Sequence, residues 1–300
     1  MSRADWLRLI LLSLLWGGSF FFVEIALTGL PPLAVVWGRV TIGALCIGAM
    51  IAGFGPGLPR GVAVWRALLG MGILNNAIPF TLFAFAQGQI SGALAAILNA
   101  TTPLFTMVAM HLLTQDDEGI TPTRALGLVS GLAGVAVMML GQGWDGTLWA
   151  KLACLGAALS YGLAGVWGRR FRSLGLAPLQ VAFGQCASAA LLILPLMLGV
   201  SPPWQIALPG WQVWAALAGL GLLSTVLAYA LFFRILASAG AVRLALVTFL
   251  IPVSATALGV AFLGQVPELR HLAGFALISV GLVAVGRKPA VRAASAGNSR

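Results

Sequence analysis

The sequence has little charge, and very little of it is negative. Of 300 residues, 17 are Lys or Arg and 7 are Asp or Glu, so charged residues make up 8% of the chain. A soluble domain carries roughly 25% charged residues, and this chain has too few to cover a surface that faces water. Hydrophobic residues instead make up 60% of the chain. We therefore expect an integral membrane protein with lipid against most of its outer surface.

The sequence also lacks the residues that several functions need. Cys46, Cys154 and Cys186 lie inside apolar runs, with neither a disulfide framework nor metal-ligand spacing. Nucleotide-binding and zinc-protease motifs are missing, which argues against an ATP-driven pump or a metalloprotease. No Asp lies in an apolar run, and His111 and His271 stand at predicted helix ends, so an intramembrane aspartyl or serine protease is not expected either. We predict no enzyme activity, no catalytic residue, no metal and no cofactor.

Ten apolar runs are each about the length that crosses a bilayer as a helix, roughly 17 to 25 residues. The runs cover residues 6–27, 31–53, 64–86, 91–113, 124–141, 148–171, 178–199, 211–235, 240–263 and 270–286. The sequence therefore predicts an all-α membrane protein with ten transmembrane helices.

The positive residues predict how the helices are oriented. Arg39 lies within a run and only Lys151 and Arg270 fall on one side, whereas every other Lys and Arg falls on the opposite side. Because Lys and Arg concentrate in cytoplasmic loops, both termini are expected in the cytoplasm, with 287–300 as a basic tail. Loop anchoring also explains the net charge of +10 without a nucleic-acid partner. We expect a multi-pass protein of the cell inner membrane.

The two halves of the chain resemble each other. Three pairs of segments align: 16–17 with 161–162, 32–39 with 178–185, and 92–103 with 240–252. Each copy, 1–141 and 148–286, holds five predicted helices, and because five is odd the second copy is expected to be inverted in the membrane. Inverted repeats place a substrate site near the midplane, at the interface between the copies.

Several motifs resemble one transporter family. Leu15-Trp16-Gly17-Gly18-Ser19-Phe20 in the first helix, Pro31-Pro32 before the second, Arg39 within it, and the glycine pattern of 91–139 resemble the EamA group of the drug/metabolite transporter superfamily. The chain as a whole looks like the YddG-type exporters of aromatic amino acids. The resemblance implies a basket of ten helices around a central cavity that exports small metabolites. The Gly-Glu pair that the family often carries after its fourth and ninth helices is replaced by Thr114-Gln115 and Gly264-Gln265.

Polar and aromatic residues recur at helical spacing inside the runs, and polar groups at membrane depth usually face a partner or a water-filled path. The residues predicted to line the cavity are Trp16, Phe20, Asn76, Phe80, Phe83, Asn99, Thr102, Tyr161, Trp167, Thr225, Tyr229 and Thr248. Aromatic walls suit flat or apolar side chains, while amides and hydroxyls orient an ammonium or a carboxylate. Pro79, Pro103 and Pro252 are predicted to bend their helices for gating. In the alternative interpretation, all these side chains only pack the helices together.

Glu24 and Arg39 are the charged residues of the first two predicted helices at membrane depth. We expect them to form an ion pair near the outer end of these helices. In the alternative, Glu24, the only acid within a predicted span, titrates and couples export to protons.

The function that follows is a secondary transporter that exports small metabolites by alternating access. Amino acids, aromatic or other neutral ones, are the expected substrates. A broad metabolite or drug exporter is the alternative, and a receptor or scaffold is the alternative from another class. The partners are a small-molecule substrate and the lipid bilayer. Gly127, Gly131 and Gly134 predict close packing of the fifth helix, and the protein is expected to be a monomer or a weak homodimer.

Overall fold

The computed structural model describes residues 3–113, 122–139, 146–239, 244 and 247–286, whose regular secondary structure is all helical. This confirms the predicted all-α class. We number the long helices in chain order: α1 Arg3–Ala26, α2 Pro32–Phe54, α3 Val62–Gln87, α4 Gly92–Leu113, α5 Pro122–Met139, α6 Gly146–Gly168, α7 Pro178–Val200, α8 Trp211–Ala239, α9 Val247–Leu263 and α10 Leu269–Gly286.

Seven of these helices, α1 to α4 and α6 to α8, are long and apolar enough to cross a membrane by length and composition. Shorter apolar helices lie within α5, α9 and α10, at Ala125–Val137, Leu250–Leu263 and Leu269–Gly281. A protein with many membrane spans is thus confirmed, whereas ten spans and cytoplasmic termini stay predictions. The tail 287–300 and Thr114-Gln115 lie outside the described residues.

Proline and serine mark the starts of several helices. Pro32 and Pro178 occupy the first turns of α2 and α7, where the missing N–H would have no partner in any case. Ser91 caps α4, since its Oγ accepts a hydrogen bond of 3.3 Å from the backbone N of Leu94. The two prolines are equivalent in the repeat, so both copies begin their second helix in the same way.

Glycines bring helices from the two copies into close contact. A Cβ added to Gly17 in α1 would lie 2.7 Å from the Cβ of Ser254 in α9. A Cβ added to the equivalent Gly162 in α6 would lie 2.9 Å from the backbone of Phe105 and Thr106 in α4. The first helix of each copy therefore packs on the fourth helix of the other copy.

Helices α5 and α10 pack closely against each other. A Cβ on Gly134 would lie 2.6 Å from the carbonyl oxygen of Gly274, and Gly281 is equally tight against Gly127. Ser130 Oγ donates a hydrogen bond of 3.0 Å to the carbonyl of Leu277. This contact agrees with the glycine spacing of the fifth helix. The pair lies apart from the cavity described below.

Candidate functional site: a cavity between the two copies

A cavity of about 850 Å³ lies between α1 to α4 of the first copy and α6 to α9 of the second. Its volume falls within the range of small-molecule sites. Ten of the predicted residues line it: Trp16, Phe20, Phe80, Phe83, Asn99, Thr102, Tyr161, Thr225, Tyr229 and Thr248. The structure brings them together around the cavity, and their contact with a substrate stays a prediction.

Trp167 and Asn76 do not line the cavity, so for these two residues the predicted position is wrong. Trp167 packs over Gly70 and donates its Nε1–H to the carbonyl of Ala67 at 2.9 Å. Asn76 is fully buried and does not line the cavity, although its side chain lies beside the hydroxyl of Tyr229, which does.

A π-helical segment explains the position of Asn76. Residues Ile73–Ala77 of α3 form i→i+5 hydrogen bonds, which put an extra residue into the turn. Regular α-helical spacing therefore fails at this point, and Asn75 rather than Asn76 faces the cavity. Helix α8 has a π-helical segment at the equivalent place, Gly219–Leu227. Such segments occur frequently at functional sites.

Aromatic rings form much of the wall. Phe20 meets Phe83 edge to face at 5.4 Å between centroids, and Phe83 stacks on Tyr161 at 6.2 Å. Phe232 and Phe233 of α8 also line the cavity, and neither was among the predicted residues. The repeat carries the missing signal, because aligning Thr225 with Asn76 places Phe232 at the position of Phe83.

Arg39 lies on the wall with its side chain buried, at 9% exposure. Its Nε donates to Thr225 Oγ1 at 3.2 Å and its Nη2 to the carbonyl of Ser224 at 3.4 Å. The guanidinium also lies 3.8 Å from the ring centroid of Phe80. Arg39 of the first copy is thus held by the π-helical segment of the second.

Gln185 is the repeat equivalent of Arg39 and makes the reciprocal contact. Its Oε1 accepts a hydrogen bond of 2.9 Å from Asn75 Nδ2, in the π-helical segment of α3. Both side chains line the cavity. Each π-helical segment is therefore tied to the second helix of the opposite copy, by an arginine on one side and an amide on the other.

The predicted ion pair between Glu24 and Arg39 is wrong, because each has other partners. Glu24 Oε2 accepts the backbone N–H of Gly92 at 3.0 Å, and Gln265 Nε2 lies 2.7 and 2.6 Å from the two carboxylate oxygens. Gly92 opens α4, and the free N–H groups of a helix N-terminus attract a carboxylate. Glu24 thus faces this helix end, whereas Arg39 faces the cavity.

The cavity reaches the protein surface at one end. Its wall residues Arg172, Pro178 and Leu236 are exposed, and they mark the end predicted to be cytoplasmic. At the other end Val23 and Val36 are buried in an apolar cluster with Leu217 and Leu220 of α8. This cluster and the Glu24–Gln265 contact close the cavity at that end. Outside the cavity, an ion pair between Arg270 Nε and Glu268 Oε2, at 2.7 Å, holds the pKa of the Glu268 carboxyl below its ordinary value.

The three prolines differ in their effects on the helices. Pro79 directly follows the π-helical segment of α3, and Pro103 follows a break between Gly92–Asn99 and Thr102–Leu113 in α4. Pro252 lies inside α9, which continues through it. None of the three lines the cavity among the described residues. No group of three His, Cys, Asp or Glu side chains that could hold a metal ion comes together in the part of the chain that is described.

Comparison with known proteins identifies a family. A sequence model of the EamA-like transporter family matches residues 6–140 and again 148–287. The chain is similar to a protein named uncharacterized inner membrane transporter YedA from Escherichia coli (strain K12), with 26% identity over 285 residues, 93% of this chain and 90% of that protein. It is also 27% identical to protein PecM of Dickeya dadantii over 277 residues, 90% of this chain and 88% of PecM.

Two further similarities cover nearly the whole chain. The uncharacterized transporter YvbV of Bacillus subtilis is 27% identical over 305 residues, 97% of this chain and 94% of YvbV. A solved crystal structure superimposes with a TM-score of 0.67 at 23% identity, covering 95% of this chain and 98% of that one. This last similarity establishes the fold alone.

Proposed function

The chain belongs to the EamA-like transporter family, and we propose that it is a secondary transporter that exports amino acids, aromatic or other neutral ones, through the cavity between its two copies. The family is one of membrane transporters, and we assign the chain no enzymatic activity. As the name of its Escherichia coli relative suggests, the protein is a multi-pass protein of the inner membrane.

The proposal includes the membrane topology. Ten transmembrane helices form two inverted five-helix copies, 1–141 and 148–286, with both termini and the basic tail 287–300 in the cytoplasm. The double family match supports the duplication, and the distribution of Lys and Arg supports the orientation. For the oligomeric state, we propose a monomer or a weak homodimer.

One observation carries the transport proposal: a cavity between the copies that is exposed at one end and closed at the other. Arg172 and Leu236 mark its open end, while an apolar cluster and the Glu24–Gln265 contact close the opposite end. Inverted-repeat transporters work by alternating access, in which one copy rocks against the other around a fixed site. In this proposal the described state loads substrate from the cytoplasm.

The wall supports an amino acid as substrate. Phe20, Phe83 and Tyr161 provide ring faces and edges for a flat side chain. Asn99 and Thr102 add an amide and a hydroxyl, which are able to hydrogen-bond an ammonium group. All ten predicted residues on the wall are proposed substrate contacts, and Pro79, Pro103 and Pro252 are proposed as points where helices bend during gating.

Reconstitution in liposomes tests this function directly. Counterflow of radiolabelled amino acids, nucleosides and organic cations would be measured with purified protein and with empty liposomes. We expect flux for aromatic amino acids above the other classes. Lack of flux for every amino acid would contradict the substrate proposal.

The volume of the cavity favours a second candidate, a broad metabolite or drug exporter. About 850 Å³ is near the upper end of the range for drug-sized ligands. The same counterflow panel distinguishes the two candidates, because a broad exporter moves nucleosides or lipophilic drugs as fast as amino acids.

Proton coupling through Glu24 is the proposed energy source. The carboxylate lies at the closed end, where it accepts hydrogen bonds from Gln265 and from the N-terminus of α4, and in this proposal a proton on the carboxylate would weaken both contacts. Glu24→Gln is expected to remove the dependence of flux on a proton gradient while the protein still folds. Unchanged, gradient-driven flux in this variant would rule out Glu24 as the coupling site.

A further inference from the structure

The charged residues that line the cavity all have the same sign. Arg39 lies deep in the cavity and Arg172 at its open end, and no Asp or Glu is among the described residues of the wall. A single buried charge in a low-dielectric site is costly unless a counter-charge is present. The cavity is therefore electrostatically suited to an anionic group.

Arg39 has donors left for such a group. A guanidinium carries five N–H donors, and Arg39 uses one for Thr225 Oγ1 and one for the carbonyl of Ser224. It forms no ion pair with an acid among the described residues, while Glu24 is occupied by Gly92 and Gln265. Three N–H groups thus remain, enough for a bidentate bond to a carboxylate.

The guanidinium is also held in a fixed position. Thr225 Oγ1 itself donates to the carbonyl of Leu220 at 2.9 Å, and Ser224 Oγ donates to the carbonyl of Leu15 at 2.7 Å. The ring of Phe80 supports the opposite side of Arg39. A side chain fixed in this way loses little further freedom when it binds a ligand, which favours affinity.

The aromatic wall begins next to Arg39. Phe80 and Phe83 lie three positions apart on α3 and so share one face of the helix, and Phe83 contacts both Phe20 and Tyr161. A molecule with its carboxylate at Arg39 would therefore lay an apolar body along these rings.

We propose that Arg39 binds the carboxylate of the substrate, and that the cavity selects carboxylates and zwitterions with an aromatic or apolar body over organic cations. This inference rests on the proposed function and adds the group that is recognised. Arg172 at the open end raises the local concentration of such anions.

Binding to the purified protein tests the proposal without requiring transport. The probes are phenylalanine, 3-phenylpropionate, which lacks the ammonium, and phenethylamine, which lacks the carboxylate, each titrated while the unfolding temperature is recorded. We expect both carboxylates to stabilise the wild-type protein and phenethylamine to have no effect. In Arg39→Gln, the carboxylates should bind roughly 10- to 100-fold more weakly, as expected for the loss of a charge-assisted hydrogen bond.

Two further variants serve as controls. Arg66→Gln removes a positive charge from an exposed residue of α3 away from the cavity wall, and should bind all three probes as the wild type does. Arg39→Lys keeps the charge but loses the planar fork, so its affinity for carboxylates should be intermediate. If Arg39→Gln does not fold, Arg39→Lys and the wild-type preference among the probes still decide the question.

Three results would overturn the proposal: equal binding of 3-phenylpropionate by Arg39→Gln and the wild type, wild-type binding of phenethylamine as tight as that of the carboxylates, or binding of neither carboxylate. The failure of the proposed function has a different signature. If no amino acid is transported but 3-phenylpropionate still binds through Arg39, the amino-acid assignment is wrong and the carboxylate site stands.

Discussion

The two copies pack their helices in the same way. Gly17 of α1 meets Ile251 and Ser254 of α9, and Gly162 of α6 meets Phe105 and Thr106 of α4. Further contacts recur at equivalent positions: Gly70 with Trp167 and Gly219 with Phe22, Gly38 with Leu217 and Gly184 with Leu68, Gly72 with Ser188 and Gly221 with Ile42. In each pair, a glycine of one copy accepts a side chain or backbone of the other.

The cavity wall does not share this equivalence. Arg39 in the first copy corresponds to Gln185 in the second, and their partners differ as well, Thr225 and Ser224 on one side and Asn75 on the other. The helix contacts tolerate only small residues where backbones approach closely, whereas side chains that face the cavity have room to differ. The repeat therefore gives both copies the same helix packing, whereas the positive charge of Arg39 is present in the first copy only, where the second has Gln185.

The two ends of the cavity differ in a related way. Glu24 is bonded to Gln265 at the closed end, and its repeat counterpart Arg169 is near the open end, where Arg172 and Leu236 are exposed. Under the proposed alternating-access mechanism, this difference is expected to reverse during transport, because the two copies would exchange their conformations.

The largest expected effect comes from breaking the contacts that the two copies share. Gly17→Val and Gly162→Val should each lower the free energy of unfolding by about 3 kcal/mol, because a side chain there clashes with backbone that has no room to move. Thermal unfolding in detergent measures both. Gly18→Ala is the matched control, since its nearest neighbours are 3.7 Å away or more, and it should unfold like the wild type. A stability loss in only one of the two valine variants would contradict the equivalence.

Exchanging Arg39 and Gln185 tests whether the position of the positive charge affects substrate binding. Arg39→Gln combined with Gln185→Arg keeps the net charge but moves it to the opposite wall, where a single amide, Asn75, stands in place of the hydroxyl and the backbone carbonyl that hold Arg39. Affinity for 3-phenylpropionate should stay roughly tenfold or more below that of the wild type, as in Arg39→Gln alone. Recovery of full affinity in the double variant would mean that the two walls are interchangeable.

Trp167→Phe tests whether this ring serves packing rather than binding. The equivalent contact in the first copy is already made by a phenylalanine, Phe22 against Gly219. The variant should lose about 1 kcal/mol of stability with the hydrogen bond to Ala67, and its counterflow rate should be unchanged. A large fall in the counterflow rate, with the variant expressed at the wild-type level, would instead indicate that Trp167 contacts the substrate.

The smallest effect is expected at the contact between α5 and α10, which lies outside the cavity. Ser130→Ala removes one hydrogen bond to the carbonyl of Leu277 and should cost about 0.5 kcal/mol, since the site is partly exposed. Substrate affinity and flux should match the wild type. Altered affinity would show that this helix pair is coupled to the cavity.

The sequence by itself determined the membrane class, the helical fold, the repeat and ten residues of the cavity wall. These features follow from hydrophobicity and helical spacing, which act over one or two turns of the chain. The same local signals misplaced Asn76, since the extra residue in the π-helical turn puts Asn75, and not Asn76, on the face of α3 that carries Phe80 and Phe83.

Only the tertiary structure decided the partners of the charged residues. Arg39 meets Thr225, 186 residues away, and Glu24 meets Gln265, 241 residues away, whereas sequence proximity suggested that the two pair with each other. Packing between the copies sets these contacts, and periodicity within one helix does not encode which residue of another helix a side chain will meet. The same packing places a single buried guanidinium on a wall without an acid, which is the feature that predicts what the cavity binds.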